Sequence, residues 1–511
     1  MPLLLFLFLF AAPTMAQQKL NIIYIMSDDH DMKAISAYDR TLIRTPNIDR
    51  LAVEGMLFKN AFVGNSICSP ARATLLTGQH SHLNGVRDNR IRFDSSKLTL
   101  PKILQAAGYQ TAIVGKWHLH SYPTGFDYWK ILPGQGQYFE PAFISMNGDT
   151  ARIQGYATEV ITDEAIAWLE RRHHDKPFLL LLHHKAPHRY FFPPLRYIRQ
   201  FQDKRFPLPP TLHVDTRARG TAWRSQRMSI LRDMQLSSDL KVDPAALAGI
   251  PALMPDAQER QYYQAIMNRI PEKQRKEIAA IYAKRGEALQ RLKPDARQLL
   301  ELKYQWYMQD YLACVASIDE SVGRVLDYLD RSGLARNTVV IYTSDQGMYL
   351  GENGWFDKRF MYDKSMRTPL LIRWPGSRPG KTGALVQNID FAPTILDAAG
   401  VAVPRDMQGQ SLKPLLFSSG MFSRDHLYYH YYEFGRDHSV LPHLGVRGRR
   451  YKLIYFYTVN EWEFYDLQQD PAELKNLIHS SRHQAIIREY RTVLKALRTK
   501  YEDTEPAGEL R

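Results

Sequence analysis

Only two cysteines, Cys68 and Cys314, occur in the 511 residues, so a disulfide framework is excluded and at most one bridge can form. Long apolar runs are missing as well: beyond the amino terminus no stretch is long or apolar enough to cross a bilayer as a helix. The single run there, residues 3–12 of MPLLLFLFLFAAPTMAQQ, is too short for a span and is followed by small residues. Residues 1–16 therefore read as a secretory signal, although they carry no Lys or Arg, and the expected location is periplasmic or secreted. No cysteine stands at the cleavage site to carry a lipid anchor, and no internal repeat or long low-complexity tract is present. Acidic residues are in deficit, 53 against 67 Lys and Arg, for a formal net charge of +14. Such a field attracts polyanions, and export argues against nucleic acid. An acidic membrane surface, a sulfated or uronate-rich glycan, or charge kept for solubility alone remain as readings.

With 44% apolar and 23% charged residues, the chain has the composition of a globular protein, long enough for one large core and a smaller one. KLNIIYIMSDDH and NTVVIYTSDQG are apolar, β-branched runs that end in carboxylates; YQTAIVGKWH and KPFLLLLHHKAPH are apolar runs that end in basic groups. Helical patterns such as PKILQAAG and EVITDEAIAWLERR alternate with them. The alternation predicts an α/β fold with a central, mostly parallel sheet flanked by helices, whose strands deliver Asp, Lys and His to one edge. Residues 190–300 are Pro- and Arg-rich and then polar and helical, without strand signals, and read as an insertion in a main domain of residues 17–420. From residue 421 short β-rich segments precede a final amphipathic helix, which predicts a small α+β carboxyl-terminal domain.

NSICSPARATLLTG, residues 65–78, places a cysteine at a helix start: Ser69 suits the N-cap, Pro70 the first helical position and Gly78 the C′ position. The positive end of that helix and Arg72 in its first turn both favour an anion beside residue 68. Taken alone, Cys68 fits packing as well as chemistry. Cys314 lies in YQWYMQDYLACVASI, where Tyr307, Tyr311, Val315 and Ile318 recur at helical spacing, and reads as core.

CSPARATLLTG resembles the Cys-x-Pro-x-Arg signature of type I sulfatases, and the other elements of that family follow in order along almost the whole chain: Asp-Asp after the first strand, GKWH, APH, an Asp-led strand end and a lysine beyond it. The resemblance implies an alkaline-phosphatase-like sandwich. It implies that Cys68 is converted to formylglycine by a formylglycine-generating or anaerobic sulfatase-maturing enzyme. It implies a divalent cation held by Asp28, Asp29, Asp345, Gln346 and residue 68; the carboxylate-rich oxygen donors favour Ca²⁺ over Mg²⁺, and Gln346 stands where Asn or His is more usual. Arg72 would orient the nucleophile, Lys116 and Lys358 would hold the sulfate, His188 would protonate the leaving oxygen and His118 would deprotonate the second hydroxyl. His184 is an orienting neighbour at most, and His173, His174 and His183 receive no role.

The stretches GFDYWKILPGQGQYFEPAFI and DQGMYLGENGWFDKRFMYDKSMRTPLLIRWPG are similar to bacterial carbohydrate sulfatases of the N-acetylglucosamine-6-sulfatase and heparinoid 2-O-sulfatase types, so the expected partner is a sulfated oligosaccharide or polysaccharide. In RDHSVLPHLGVRGRRYKLI, His438, His443 and Arg447 are the candidate sugar contacts; a solvated loop leading into a strand is the other reading. Two rival functions stand beside the sulfatase: a phosphonate or phosphate monoester hydrolase of the same superfamily, and a non-catalytic polyanion-binding protein.

Overall fold

The computed structural model describes residues 19–215, 219–418, 421–435, 438–505 and 507. The expected signal at residues 1–16, and the boundary placed at residue 420, lie outside the described residues.

A ten-stranded sheet organises the larger part of the chain. Its centre is parallel, in the order Thr338–Ser344, Asn21–Asp28, Phe178–Pro187, Gln110–Lys116, Tyr128–Leu132, and antiparallel partners such as Leu370–Arg373 and Ala142–Ser145 extend it on either side. The central strands are apolar through their middles and buried almost throughout because both faces are covered. Ile22, Tyr24, Leu179, Leu181, Val339 and Ile341 face one core, closed by the helices Cys68–Thr77, Leu100–Ala106 and Phe391–Ala398. The alternate residues Ile23, Ile25, Leu180, Leu182, Val340 and Tyr342 face the other, closed by Pro46–Glu54, Ala157–Arg171 and the 36-residue helix Ala296–Arg331. This is the expected α/β sandwich.

Register explains the site. Ser27 lies opposite Ser344 and Asp28 opposite Pro187, so three strands end at the same height and release Asp28, Asp345 and His188 at one edge. Residues 190–300 hold helices and no named strand among the described residues. They pack Leu240, Val242 and Leu289 against Tyr304, Tyr307 and Tyr311 of the long helix. That helix opens with a capping box between Asp295 and Gln298, and Cys314 lies buried in its middle, unbridged.

A separate four-stranded antiparallel sheet follows: His426–Tyr431, His443–Gly448, Tyr451–Phe456 and Glu461–Asp466 in spatial order. Helix Gln484–Lys500 covers one face through Ile487, Tyr490, Leu494 and Leu497, which pack on Leu444, Val446 and Leu453. The other face packs against residues 355–366 of the main body.

Candidate active site

The helix bearing the signature starts earlier than its capping pattern predicts. Cys68 is its first residue, Ile67 occupies the N-cap position with φ −152°, and Pro70 is third. Ser69 does not cap; its hydroxyl donates to the carbonyl of His118 at 2.6 Å, tying the helix to the segment that follows Gln110–Lys116. Gly78 ends the helix at φ 63°, its N–H donating to Thr74 O, as expected for a C′ glycine. All ten helical residues are buried, Arg72 included.

Around Cys68 the three strand ends converge. Oxygens of Asp28, Asp29 and Asp345 lie within 4.8 Å of one another, and Cys68 and His188 join Asp28 in a second such group. The Cys68 thiol is 3.4 Å from Asp28 Oδ1 and 3.5 Å from Gln346 Nε2. Arg72 Nη2 donates to Asp345 Oδ2 at 2.9 Å and Nη1 to the Lys116 carbonyl at 3.0 Å. Lys116 pairs with Asp28 and donates to Gln135 Oε1 at 2.6 Å; Lys358 Nζ pairs with Asp29 Oδ2 at 2.7 Å. His188 Nε2 stands 3.7 Å from Asp29 Oδ2, while its Nδ1 meets the Arg189 carbonyl at 2.7 Å. A carbonyl only accepts, so Nδ1 carries the proton and Nε2 faces the cluster. His118 Nδ1 approaches Ser69 Oγ at 3.4 Å. The structure thus gathers Asp28, Asp29, Cys68, Arg72, Lys116, His118, His188, Asp345, Gln346 and Lys358 in one place. Asp29 and His118 hold left-handed φ values of 66° and 55°, a strained geometry for side chains other than glycine.

Burial and mutual repulsion set the electrostatics. Burial first, then Asp28, pushes the Asp345 carboxyl up to about 7. Burial also raises Asp29, against the pull of Lys358. Asp28 is the exception: burial opposes its charge, but Lys116, His188 and Arg72 hold it well below the carboxylate range. Burial, and then Asp28, drives the Cys68 thiol up, so an unmodified thiol stays protonated and is a poor nucleophile. His118 and His188 are both held well below their usual values, chiefly by burial and with Lys116 adding to it.

The donor set fits a hard cation. The cluster is carboxylate-rich, and Gln346 Oε1 is buried without a hydrogen-bond partner while its Nε2 donates to Asp29 Oδ1 at 2.5 Å. A buried carbonyl oxygen left unpaired among three carboxylates is the kind of group that a bound metal ion satisfies.

A cleft of about 370 Å³ opens over His188 and Lys358. One wall carries groups that the sequence did not single out. Arg359 donates to Asp357 Oδ1 and Glu433 Oε2, both at 3.1 Å, and Asp357 Oδ2 lies 3.2 Å from His438 Nε2. Asp357 and Arg359 adopt φ values of 73° and 95°, which turns the side chains flanking Lys358 toward the cleft wall. Their only sequence signal is the charge crowded around Lys358 in FDKRF; Gln135 and Glu433 give none. His183, to which the sequence assigned no role, meets Lys116 O at 3.2 Å and Arg72 Nη1 at 3.5 Å, and so buttresses both.

Of the three expected sugar contacts only His438 lines the cleft. His443 is fully buried: Nε2 accepts from Met361 N–H at 3.0 Å, Nδ1 donates to Leu441 O at 2.8 Å, and the ring packs on Tyr429, Tyr431 and Phe456. Arg447 is bound to Asp363 at 2.9 Å and lies over the Phe62 ring, away from the cleft. Both sit on one face of an interior strand whose side chains there are buried, so neither lines this cleft.

Comparison with known proteins bears on the chain as a whole. A family model described as sulfatase matches residues 20–401, and one described as N-sulphoglucosamine sulphohydrolase, C-terminal, matches residues 351–500. An N-acetylglucosamine-6-O-sulfatase of Bacteroides thetaiotaomicron is 44% identical over 495 residues, covering 95% of this chain and 87% of that enzyme. A solved structure in complex with its substrate, D-glucosamine-2-N,6-O-disulfate, superposes with a TM-score of 0.90 at 43% identity over 96% of this chain and 99% of that one. The phosphonate monoester hydrolase of Agrobacterium radiobacter shares the fold, with a TM-score of 0.66 at 21% identity over 94% of this chain and 96% of that one.

Proposed function

The chain belongs to the sulfatase family and hydrolyses sulfate esters on glycans, and from that premise we propose that the ester it cleaves is the 6-O-sulfate of a glucosamine residue. The observation that carries this reading is the full-length likeness to the Bacteroides N-acetylglucosamine-6-O-sulfatase. The cleft supports it, since its volume suits one sulfated sugar ring with the ester lowered onto Lys358 and His188.

In this reading Cys68 is matured to formylglycine, which supplies a hydrated aldehyde hydroxyl able to accept sulfate and later release it. Asp28, Asp29, Asp345 and the Gln346 carbonyl would hold a divalent cation, Ca²⁺ in preference to Mg²⁺ because several protein oxygens bind it at once. Arg72, anchored on Asp345, orients residue 68. Lys116 and Lys358 present ammonium groups to the sulfate oxygens and stabilise charge as sulfur changes partners. His188, with Nδ1 committed to the Arg189 carbonyl, offers Nε2 to the leaving sugar oxygen; its depressed basicity makes it a ready donor once protonated. His118 accepts the proton whose loss lets sulfate depart. Arg359, Asp357, Glu433 and His438 bind the sugar hydroxyls.

Position-resolved analysis of products from singly sulfated glucosamines tests the substrate: release of 6-O-sulfate is expected, and exclusive attack at another position refutes it. A peptide mass showing intact cysteine at residue 68 in fully active enzyme would remove the formylglycine step, and full turnover with metal verified absent would remove the cation. Faster turnover of an aryl phosphonate than of an aryl sulfate would favour the phosphonate hydrolase reading. We also propose export to the periplasm or beyond, on the apolar run at residues 3–12; a cytoplasmic chain retaining that run would contradict it.

A further inference from the structure

We infer that the cleft contains a second anion subsite, formed by Lys185 and Arg269, that takes an acidic group of the glycan other than the sulfate being cleaved. The inference rests on the proposed reading of the cleft as the site of a sulfated glucosamine.

The starting observation is an imbalance of partners. Most cations lining the cleft are matched to carboxylates: Arg189 to Asp239 at 2.6 Å, Arg90 to Asp88, Lys358 to Asp29, Arg359 to Asp357 and Glu433. Lys185 and Arg269 line the same cleft, and among the described residues neither pairs with a carboxylate. Lys185 Nζ has only the Arg189 carbonyl, at 3.5 Å, and the face of Tyr138, 4.8 Å to the ring centre. Arg269 Nη1 has only the Glu140 carbonyl, at 3.3 Å.

The two groups share one wall. Lys185 lies over the Tyr138 ring, Phe139 packs on Phe192 at 5.1 Å between ring centres, and the Glu140 carbonyl receives Arg269, so both cations rest on the short segment 138–140. This wall is distinct from the one bearing Arg359, Glu433 and His438. It is built partly by the helical insertion, since Arg269 follows the helix Ala257–Met267 and Ile266 also lines the cleft.

Burial of a cation that no carboxylate pairs with directly is unfavourable: Lys185 is buried and Arg269 partly so, and the titration of both groups reflects it. Burial, with Lys116 adding, pulls the Lys185 ammonium down to about 8, and burial with Arg152 lowers Arg269. An anion entering between them would relieve both, and Arg269 has donors free to grip a sulfate or carboxylate in the paired geometry of a guanidinium. Neither group hydrogen-bonds or ion-pairs with the buried cluster, where Lys116 and Lys358 already serve the scissile sulfate. The acidic group met here can come from two sources: an N-sulfate on the same ring, or a uronate on the neighbouring sugar.

The test uses full-length, matured, metal-loaded enzyme and three substrates: N-acetylglucosamine-6-sulfate, glucosamine-2-N,6-O-disulfate, and a disaccharide joining N-acetylglucosamine-6-sulfate to a uronic acid. Arg269→Ala is expected to lower kcat/KM on a doubly charged substrate roughly 10- to 100-fold more than on the monosulfate, the range for losing one charged hydrogen bond, and mainly through KM. Arg269→Lys should recover most of the loss, and Lys185→Met should show the same selectivity. Loss on the disulfate identifies the N-sulfate as the occupant; loss on the disaccharide identifies the uronate. Equal factors on all three substrates overturn the subsite while leaving the 6-O-sulfatase reading intact. Failure of the wild type to release 6-O-sulfate from any of the three substrates overturns both.

Discussion

Replacing Asp345 by Asn probes the acidic cluster through stability, independently of turnover. In the folded chain the Asp345 carboxyl is pushed up to about 7, by burial first and Asp28 second, with Arg72 opposing. In an unfolded chain it titrates near 3.9 (about the value for any exposed Asp). The folded pKa is the higher of the two, so the folded state holds the proton more tightly. Below about pH 4 both states are protonated and no penalty arises; from there to pH 7 the cation-free protein loses about 1.4 kcal/mol of stability per pH unit, and above pH 7 the loss is complete. Between pH 5 and pH 7 this amounts to about 2.7 kcal/mol. At roughly 2.1 cal/mol/K of unfolding entropy per residue, a chain of this length should lose on the order of 3 °C in Tm. Asn keeps an acceptor for the Asp29 N–H, 3.1 Å away in the native enzyme, but has no charge to bury. Thermal unfolding in chelator at pH 5, 6, 7 and 8 should therefore show the decline in wild type and a flatter profile in Asp345→Asn. With a saturating divalent cation the wild-type profile should turn upward with pH, because metal and protons compete for the same oxygens, and the variant should lose most of that rise. Parallel pH profiles in the two proteins, or an equal cation-induced rise, would refute the reasoning.

Three further outcomes can be checked. Arg359→Ala should cost about 1.5–3 kcal/mol of transition-state stabilisation in kcat/KM on a glucosamine 6-sulfate, and far less on a small aryl sulfate that never reaches Glu433; equal losses would place Arg359 in the chemistry instead. His443→Ala should act on folding, removing a buried ring and the acceptor for Met361 N–H for about 2–4 kcal/mol, seen as a lower Tm with proportional losses on both substrates; a selective loss on the glycan would return His443 to the sugar site. Gly115→Ala should misplace Lys116 and His118, since Gly115 has φ 105° and an added Cβ would lie 2.0 Å from the His183 carbonyl; a soluble, fully active variant would contradict that packing.

Much of the buried cluster was legible because it lies where strands end. NIIYIMSDDH and NTVVIYTSDQG announce buried strands through unbroken apolar runs, and a polar residue immediately after such a run has nowhere to go except the sheet edge. Asp28, Asp29, Asp345, Lys116 and His188 could be read in that way. The cleft walls could not. Glu433 and Arg269 are remote from the motif in sequence and come to the cleft through tertiary packing that local pattern does not encode. His443 misled for a related reason. Its strand is covered on both faces, so alternation, which separates inward from outward side chains on a half-exposed strand, carried no information there. The early start of the signature helix is likewise tertiary: the Ser69 hydroxyl is taken by His118 O, leaving Ile67 at the position that a capping residue would otherwise claim.

Lys358 sits between Asp357 and Arg359, with its ammonium in the buried cluster and its two neighbours on the cleft wall. For a lineage changing its diet of glycans, these three consecutive residues are a seam where retargeting and loss of catalysis are hard to separate. A change in the backbone that re-aims Arg359 also moves the adjacent Lys358 and its amine. Glu433, His438 and Arg269 carry no such constraint, because none is adjacent in sequence to a member of the cluster. New sugar preferences should therefore accumulate first at those positions, with the 357–359 triplet changing late or in concert.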